Sequence, residues 1–438
     1  MRQEGKLVII NTGYFQLENG KKFIYSQDKF LFKFMLPNSR RAGESIQIST
    51  SNQFLYGKDH ENHNIAIFMG EREFKLYTYK NFKTSLYLVS NGNIYDNQIK
   101  DFKSLFFEGG VLHDLIDTNK YDFKDNDFSI NIQKEKKIEI NDFITFSYSY
   151  GLKADKTGVS TKPYIKLDFS KSISINCIHE YIDLIYKFCS ILTFRKNISF
   201  DSIVVDKLSV ENHYDCFVES KSYQTEHLIR TLNIEEIFDK IPIIIKMILE
   251  NNEQKKHPLF SLNYFYESKH DSQYVSTNLI KDTCTALEIE CVNQKELFEK
   301  ENLKIEEIKK DVKKLVDNKK ELLNLEDSSY SNIINSMQYW SIGIKDKIKL
   351  LADKYKDILV EYGKCKRIEI LDLYNNVNID KISKFVNFRN KNTHPGIALL
   401  TNEIAEITIM MQVLAYTSLL SRLSIDKDLI KRKIVFLV

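Results

Sequence analysis

Along the first half of the chain, apolar positions come in short bursts that alternate with polar ones. Lys6–Ile10, Phe30–Met35, Ile65–Met69, Phe74–Tyr79, Leu86–Val89, Phe143–Tyr150 and Tyr164–Phe169 are rich in β-branched and aromatic residues and bounded by polar turns. Such runs suit a pleated, half-buried surface and predict strands. Asn19-Gly20 and Asn91-Gly92 suit tight hairpin turns, because these residues tolerate positive φ. Strand following strand with no long helix between them predicts an antiparallel sandwich or barrel rather than a doubly wound sheet.

The period changes near Cys177. Ile178, Ile182, Ile185, Cys189 and Leu192 recur at three- and four-residue steps, the spacing of one helical stripe. A strand-like run, Ile198–Val205, follows, so a β-rich domain is drawn over residues 1–210 and a helical one over 211–438. In the second, helices are predicted at Ile234–Leu249, Thr277–Val292, Lys295–Leu325, Ile333–Leu359, Ile379–Phe388 and Ile397–Leu423. Pro242 marks a kink or a restart, since an interior proline removes a backbone donor. In the charged helix at 295–325, Leu303, Ile305, Ile308, Val312, Leu315 and Leu322 lie on or near one stripe. That pattern predicts a solvated helix packed along one seam, its lysines alternating with Glu and Asp on the wet face. Ile397–Leu423 is apolar on nearly every side, which predicts burial at the centre or across an oligomer interface. The fold class is α+β: an N-terminal antiparallel β-rich domain, sandwich- or barrel-like, followed by an all-α bundle.

Composition adds bounds. A chain of 438 residues exceeds the size at which one core stops growing, so two domains are expected. Lys and Arg number 63 against 60 Asp and Glu, so a nucleic-acid partner would be held by local patches and not by a basic chain. Cys177, Cys189, Cys216, Cys284, Cys291 and Cys365 show no CxxC pair and no His at zinc-finger spacing, and read as free, mostly buried thiols. With no apolar leader and no membrane-length apolar run in this reading, the expected address is the cytoplasm, without a membrane partner.

One segment concentrates chemistry: Phe385-Val386-Asn387-Phe388-Arg389-Asn390-Lys391-Asn392-Thr393-His394-Pro395-Gly396. Arginine offers a rigid fork of donors matched to phosphate oxygens. Histidine, with a pKa of about 6.5, takes and gives protons near neutrality. Attack of a ribose 2′-OH on the adjacent phosphorus needs a base, an acid for the leaving 5′-oxygen and a stabiliser of the pentacoordinate charge, with no metal required. Arg389 and His394 stand about 140° apart on an ideal helix. Pro395 pushes His394 away from helical dihedrals, so the imidazole is expected in a turn at a helix end, able to swing toward Arg389.

Arg389-Asn390-Lys391-Asn392-Thr393-His394 resembles the Arg-polar-x3-His motif of HEPN domains, four-helix-bundle ribonucleases of toxin, abortive-infection and CRISPR systems. Cys284-Thr285-Ala286-Leu287-Glu288 resembles the Ala-Leu-Glu signature of the first core helix in many of them. The likeness covers about residues 230–425. Through its strand order and the Phe107-Glu108-Gly109-Gly110-Val111 turn, the N-terminal half is similar in pattern to the β-rich module of ApeA-type anti-phage proteins.

The resemblance implies a metal-independent endoribonuclease of a bacterial anti-phage, abortive-infection or toxin system, with no cofactor. It implies a homodimer whose motifs face each other across a cleft, an RNA substrate such as tRNA or mRNA, and a phage-derived trigger sensed by the β module. Carried over by position, Arg389 would bind and stabilise the scissile phosphate, His394 would be the acid–base group and Asn390 would orient one of them. Glu288 and Lys391 would line the cleft or touch RNA. The charged helix at 295–325 departs from a simple bundle. Two rival readings stand beside this one: a catalytically inactive HEPN-like module that binds RNA or protein, and a ligand-binding β module joined to a helical dimerisation domain.

Overall fold

The structure, a computed structural model, describes residues 11–17, 21–36, 45–48, 53–70, 73–91, 99–117, 121–124, 127–130, 135–155, 158–206, 213–219, 231–253, 259–264, 275–320, 326–338, 340–366, 379–393 and 399–437. Two compact units divide the chain: Met1–Cys189, Asn197–His227 and Asn233–Lys246 make the first, and Ser190–Lys196, Leu228–Leu232 and Met247–Val438 the second.

The elements up to residue 218 are β1 (Asn11–Gln16), β2 (Lys22–Asp28), β3 (Leu31–Met35), β4 (Ile46–Ile48), β5 (Phe54–Asp59), β6 (Asn64–Phe68), β7 (Phe74–Leu76), β8 (Tyr79–Lys83), β9 (Leu86–Asn91), β10 (Asp101–Glu108), α1 (Leu112–Leu115), β11 (Tyr121–Lys124), β12 (Asp127–Ile130), β13 (Lys136–Glu139), β14 (Ile144–Asp155), β15 (Gly158–Ser174), α2 (Ile178–Thr193), β16 (Ser202–Val205) and β17 (His213–Val218). Thirteen strands make one antiparallel sheet in the order β13-β14-β15-β10-β16-β17-β9-β6-β5-β1-β2-β3-β8. Alternation sets its faces. In β2 and β3, Phe23, Tyr25, Phe32 and Phe34 are buried while Lys22, Ile24, Leu31 and Lys33 face out. These rings join Phe15, Phe82 and Tyr87 in one aromatic core, with Phe15 and Phe34 edge-on at 5.7 Å. Each buried ring contributes roughly 1.5–3 kcal/mol of transfer free energy.

The Gly109-Gly110 turn has a backbone reason. Both residues have positive φ, and a Cβ on Gly110 would come within 2.2 Å of the Ser199 carbonyl oxygen. Glycine alone permits that approach, which lets Val111 N–H donate to Ser199 O at 3.0 Å.

Several expectations for this unit are corrected. Asn91-Gly92 does not close a hairpin to the next strand: β9 pairs with β6 and β17, while β10 pairs with β15 and β16. Phe74–Tyr79 is split between β7 and β8, and the run from Ile198 becomes a strand only at Ser202. Among the described residues the sheet has two ends, β13 and β8, that do not pair with each other. Lys6–Ile10, Asn19-Gly20 and Gly92 lie outside the described residues.

The remaining helices are α3 (Ile241–Glu253), α4 (Thr277–Asn293), α5 (Glu299–Lys319), α6 (Asp327–Gln338), α7 (Ile344–Lys354), α8 (Lys356–Lys366), α9 (Ile379–Thr393), α10 (Asn402–Arg422) and α11 (Lys427–Leu437). Pro242 falls in the first turn of α3 after a 3-10 segment at Glu235–Lys240, a restart in which its missing N–H costs no helical bond. Ser276 and Thr401 cap α4 and α10, their hydroxyl oxygens accepting from the N–H of Leu279 at 3.1 Å and Ile404 at 3.3 Å.

The helix expected at Ile333–Leu359 is three pieces, α6, α7 and α8, broken before Ile344 and at Tyr355. No residue of α5 is buried, and Leu303, Ile308 and Leu315 are more than half exposed; the expected seam is uncovered among the described residues. α10 is buried almost all round, from Thr408 through Leu420. It is the one helix among the described residues long and apolar enough to cross a bilayer, and 78% of its most apolar window is buried inside the protein.

Candidate functional site

Helical periodicity places Arg389. On α9 the buried positions are Ile382, Phe385, Val386 and Phe388, so a residue three and four places beyond 386 and 385 continues the inward stripe. Arg389 therefore points back toward the helical core with its side chain 28% exposed. Asn390 and Lys391 turn outward and are exposed. α9 packs against α4, α7 and α10.

The partner comes from α4. Arg389 Nη2 donates to Glu288 Oε1 at 3.1 Å, and Nη1 donates to Asn390 Oδ1 at 3.2 Å. Glu288 follows the buried pair Ala286 and Leu287, at the edge of the apolar stripe, and is 36% exposed. One turn earlier, burial pushes the Cys284 thiol up to about 11, with the Glu288 carboxylate adding to the shift and the Arg389 guanidinium opposing it. Three of the five residues singled out from the sequence, Arg389, Asn390 and Glu288, are thus brought together. Lys391 is not part of the hydrogen-bonded group. His394 lies outside the described residues, and α9 ends one position before it, at Thr393.

A partly exposed guanidinium that donates to a carboxylate can also donate to a phosphate, since pairs of oxygens on either anion match its two-pronged array of N–H donors. Lys391 stands in the last turn of α9, where the helix dipole favours a cation.

Sequence reasoning missed the neighbouring charge pair. Glu290, on the same helix, is fully buried. Its carboxylate accepts from Arg422 Nε at 2.9 Å and Nη2 at 2.7 Å, from Ser418 Oγ at 2.7 Å and from Ser261 Oγ at 2.7 Å. Gln294 extends the network, its Nε2 donating to Ser418 Oγ at 2.5 Å and its Oε1 accepting from Lys354 Nζ at 2.6 Å. The available signal was a carboxylate inside the stripe Thr283-Leu287-Cys291, where an ionised group needs donors to be tolerated. Among the described residues no three His, Cys, Asp or Glu side chains form a metal-holding group. All six cysteines are free thiols, four of them buried, with Cys177 half-buried and Cys365 exposed.

No protein-family model, curated protein or solved structure matches this chain.

Proposed function

We propose that the helical unit is a metal-independent endoribonuclease of the HEPN type, acting on RNA in the cytoplasm as part of an anti-phage, abortive-infection or toxin system. Arg389 binds and stabilises the scissile phosphate, Asn390 and Glu288 hold its guanidinium in place, and His394 moves the protons between the 2′-OH and the leaving 5′-oxygen. Lys391 contacts the RNA backbone nearby. A second copy of the chain supplies the facing motif. The single observation that carries this reading is the meeting of Arg389, Asn390 and Glu288 at the end of the helix that leads into His394. Positioned acid–base help is worth about 10²–10⁴-fold in rate, enough for a useful nuclease without a cofactor.

The test is cleavage of total RNA by purified protein in chelator. Wild type shortens the RNA and leaves 2′,3′-cyclic phosphate ends, while Arg389→Ala and His394→Ala, folded by circular dichroism, leave it intact. Cleavage retained by both variants would end this reading. A second reading is favoured by the Glu288 contact itself, since a carboxylate already occupies the guanidinium: a silent module that binds RNA or protein. Wild-type protein that retards RNA in a gel without shortening it supports that alternative.

A further inference from the structure

The sheet face opposite the aromatic core carries chemistry that the nuclease reading does not use. Strand register pairs Tyr14 with Lys58, Lys58 with Asn64, and Ser90 with Tyr214. The Asn64 N–H donates to Ser90 Oγ at 2.8 Å, so these positions form one row across β1, β5, β6, β9 and β17. Gln16 and Tyr56 stand two residues along from Tyr14 and Lys58. Because side chains alternate, all of them lie on the face away from Phe15, Ile65 and Ile67.

A cavity of about 120 Å³ opens among Tyr14, Gln16, Tyr56, Lys58, Asn64 and Tyr214. It is smaller than the roughly 300–1,000 Å³ that encloses a drug-sized molecule, so it accepts one ring system and leaves the remainder of a ligand at its mouth. Its walls are fixed. The Tyr56 hydroxyl donates to Ile99 O at 3.0 Å, and the Tyr214 phenol is hydrogen-bonded to the Asn64 side chain. Burial pushes the Tyr56 phenol up to about 12, which keeps it neutral.

Among the described residues the cavity lining carries one charged side chain, the half-buried Lys58, while Asp101 and Asp206 act from beyond the lining on the Tyr56 and Tyr214 phenols. Lys22 Nζ stands 4.8 Å from the centre of the Tyr14 ring, a second ammonium at the same wall. Phenol faces stack any planar heterocycle, side-chain amides offer donor and acceptor to its edge, and ammonium groups bind phosphate as point charges.

We propose that this cavity binds a nucleotide, free or as the terminal residue of an RNA strand. Its base stacks on Tyr14 and Tyr56, Gln16 and Asn64 meet the base edge, and Lys58 and Lys22 hold the phosphate. The site is independent of Arg389, and the experiment keeps the two apart.

Full-length protein carrying Arg389→Ala is titrated calorimetrically at low salt with AMP, GMP, CMP and UMP, then with adenosine and inorganic phosphate alone. At least one monophosphate saturates one site per chain with Kd below about 1 mM, and inorganic phosphate binds at least about tenfold more weakly. Lys58→Met weakens the monophosphate about tenfold and spares the nucleoside, whereas Tyr56→Leu weakens both. A 5′-phosphorylated hexaribonucleotide forms a separate arm: binding tighter than the monophosphate assigns the site to an RNA end, equal or weaker binding to a free nucleotide. Failure of all four monophosphates to bind below millimolar concentration overturns the proposal. So does binding that Lys58→Met leaves unchanged; that variant replaces a half-buried charge and still decides the matter if Tyr56→Leu does not fold.

Discussion

Two glutamates on one helix each meet an arginine, and the pairs are built for different ends. Glu290 is fully buried and receives two bonds from Arg422 and one each from Ser418 and Ser261. Glu288, two positions earlier, gives Arg389 a single contact at 3.1 Å, with both side chains about one-third exposed. Moving two residues along α4 turns the side chain by about 200°, from the edge of the helix to its core. A buried charge must be satisfied on every side or it destabilises the fold. One at the surface can be held by one partner and still exchange it for another ligand. The first pair braces the helices; the second lies at their edge, partly open to solvent.

That contrast predicts opposite outcomes for equivalent changes. Glu290→Ala leaves Arg422 facing a buried vacancy, and urea denaturation is expected to show a loss of about 3–5 kcal/mol. Replacing both partners, Glu290→Met with Arg422→Leu, recovers most of that loss, because apolar packing substitutes for a buried ion pair. If the single and double variants unfold alike, the buried pair is not the brace described.

On the proposed function, a change at the other pair acts on chemistry instead. Arg389→Lys keeps the charge and loses the planar fork, so RNA cleavage is expected to fall by about tenfold or more at unchanged unfolding midpoint. Glu288→Gln removes the competing carboxylate charge from the guanidinium. It is expected to change stability by less than about 1 kcal/mol while tightening RNA binding in a filter assay; weaker binding would make Glu288 an essential orienter rather than a tether. The smallest effect concerns the thiols beneath. Burial raises Cys284 to about 11 and Cys291 to about 12, so both remain protonated at pH 8 and resist alkylation. Mass spectrometry after brief iodoacetamide treatment should find the exposed Cys365 labelled first, and Cys284 labelled early would contradict the packing of α4.

How much of this was legible follows from where each signal resides. α4 is marked by periodicity and α10 by a long run apolar on nearly every side, and their spans emerge from these within a few residues. α9 runs further than the apolar pattern indicates, because Arg389 and the polar residues after it continue the helix to Thr393. Strands such as β1, β2 and β10 were hidden, since Gly13, Gln16, Lys22, Asp101 and Lys103 interrupt their apolar runs; pairing makes them regular, β1 and β2 with each other and with β5 and β3, β10 with the distant β15 and β16. The break at Tyr355 has no proline or glycine to announce it, and lies where the Tyr355 hydroxyl meets Gln294 Nε2 at 3.3 Å, a contact across 61 residues.

The candidate site divides in the same way. Arg389, Asn390 and His394 stood out because unlike chemical groups crowd a short segment. That Glu288 meets Arg389 is a tertiary fact, 101 residues apart in sequence, and only its place in an Ala-Leu-Glu segment drew attention to it. Glu290 and Arg422, separated by 132 residues, carried no local mark beyond a charge among apolar neighbours.

The division of labour between the two arginines can be read most directly from the single-turnover cleavage rate of an end-labelled RNA in chelator, measured for Arg389→Ala and Arg422→Ala at equal folded fraction. Arg389→Ala should lose about 100-fold or more, while folded Arg422→Ala cleaves near the wild-type rate. Equal rates for Arg389→Ala and wild type would contradict the account.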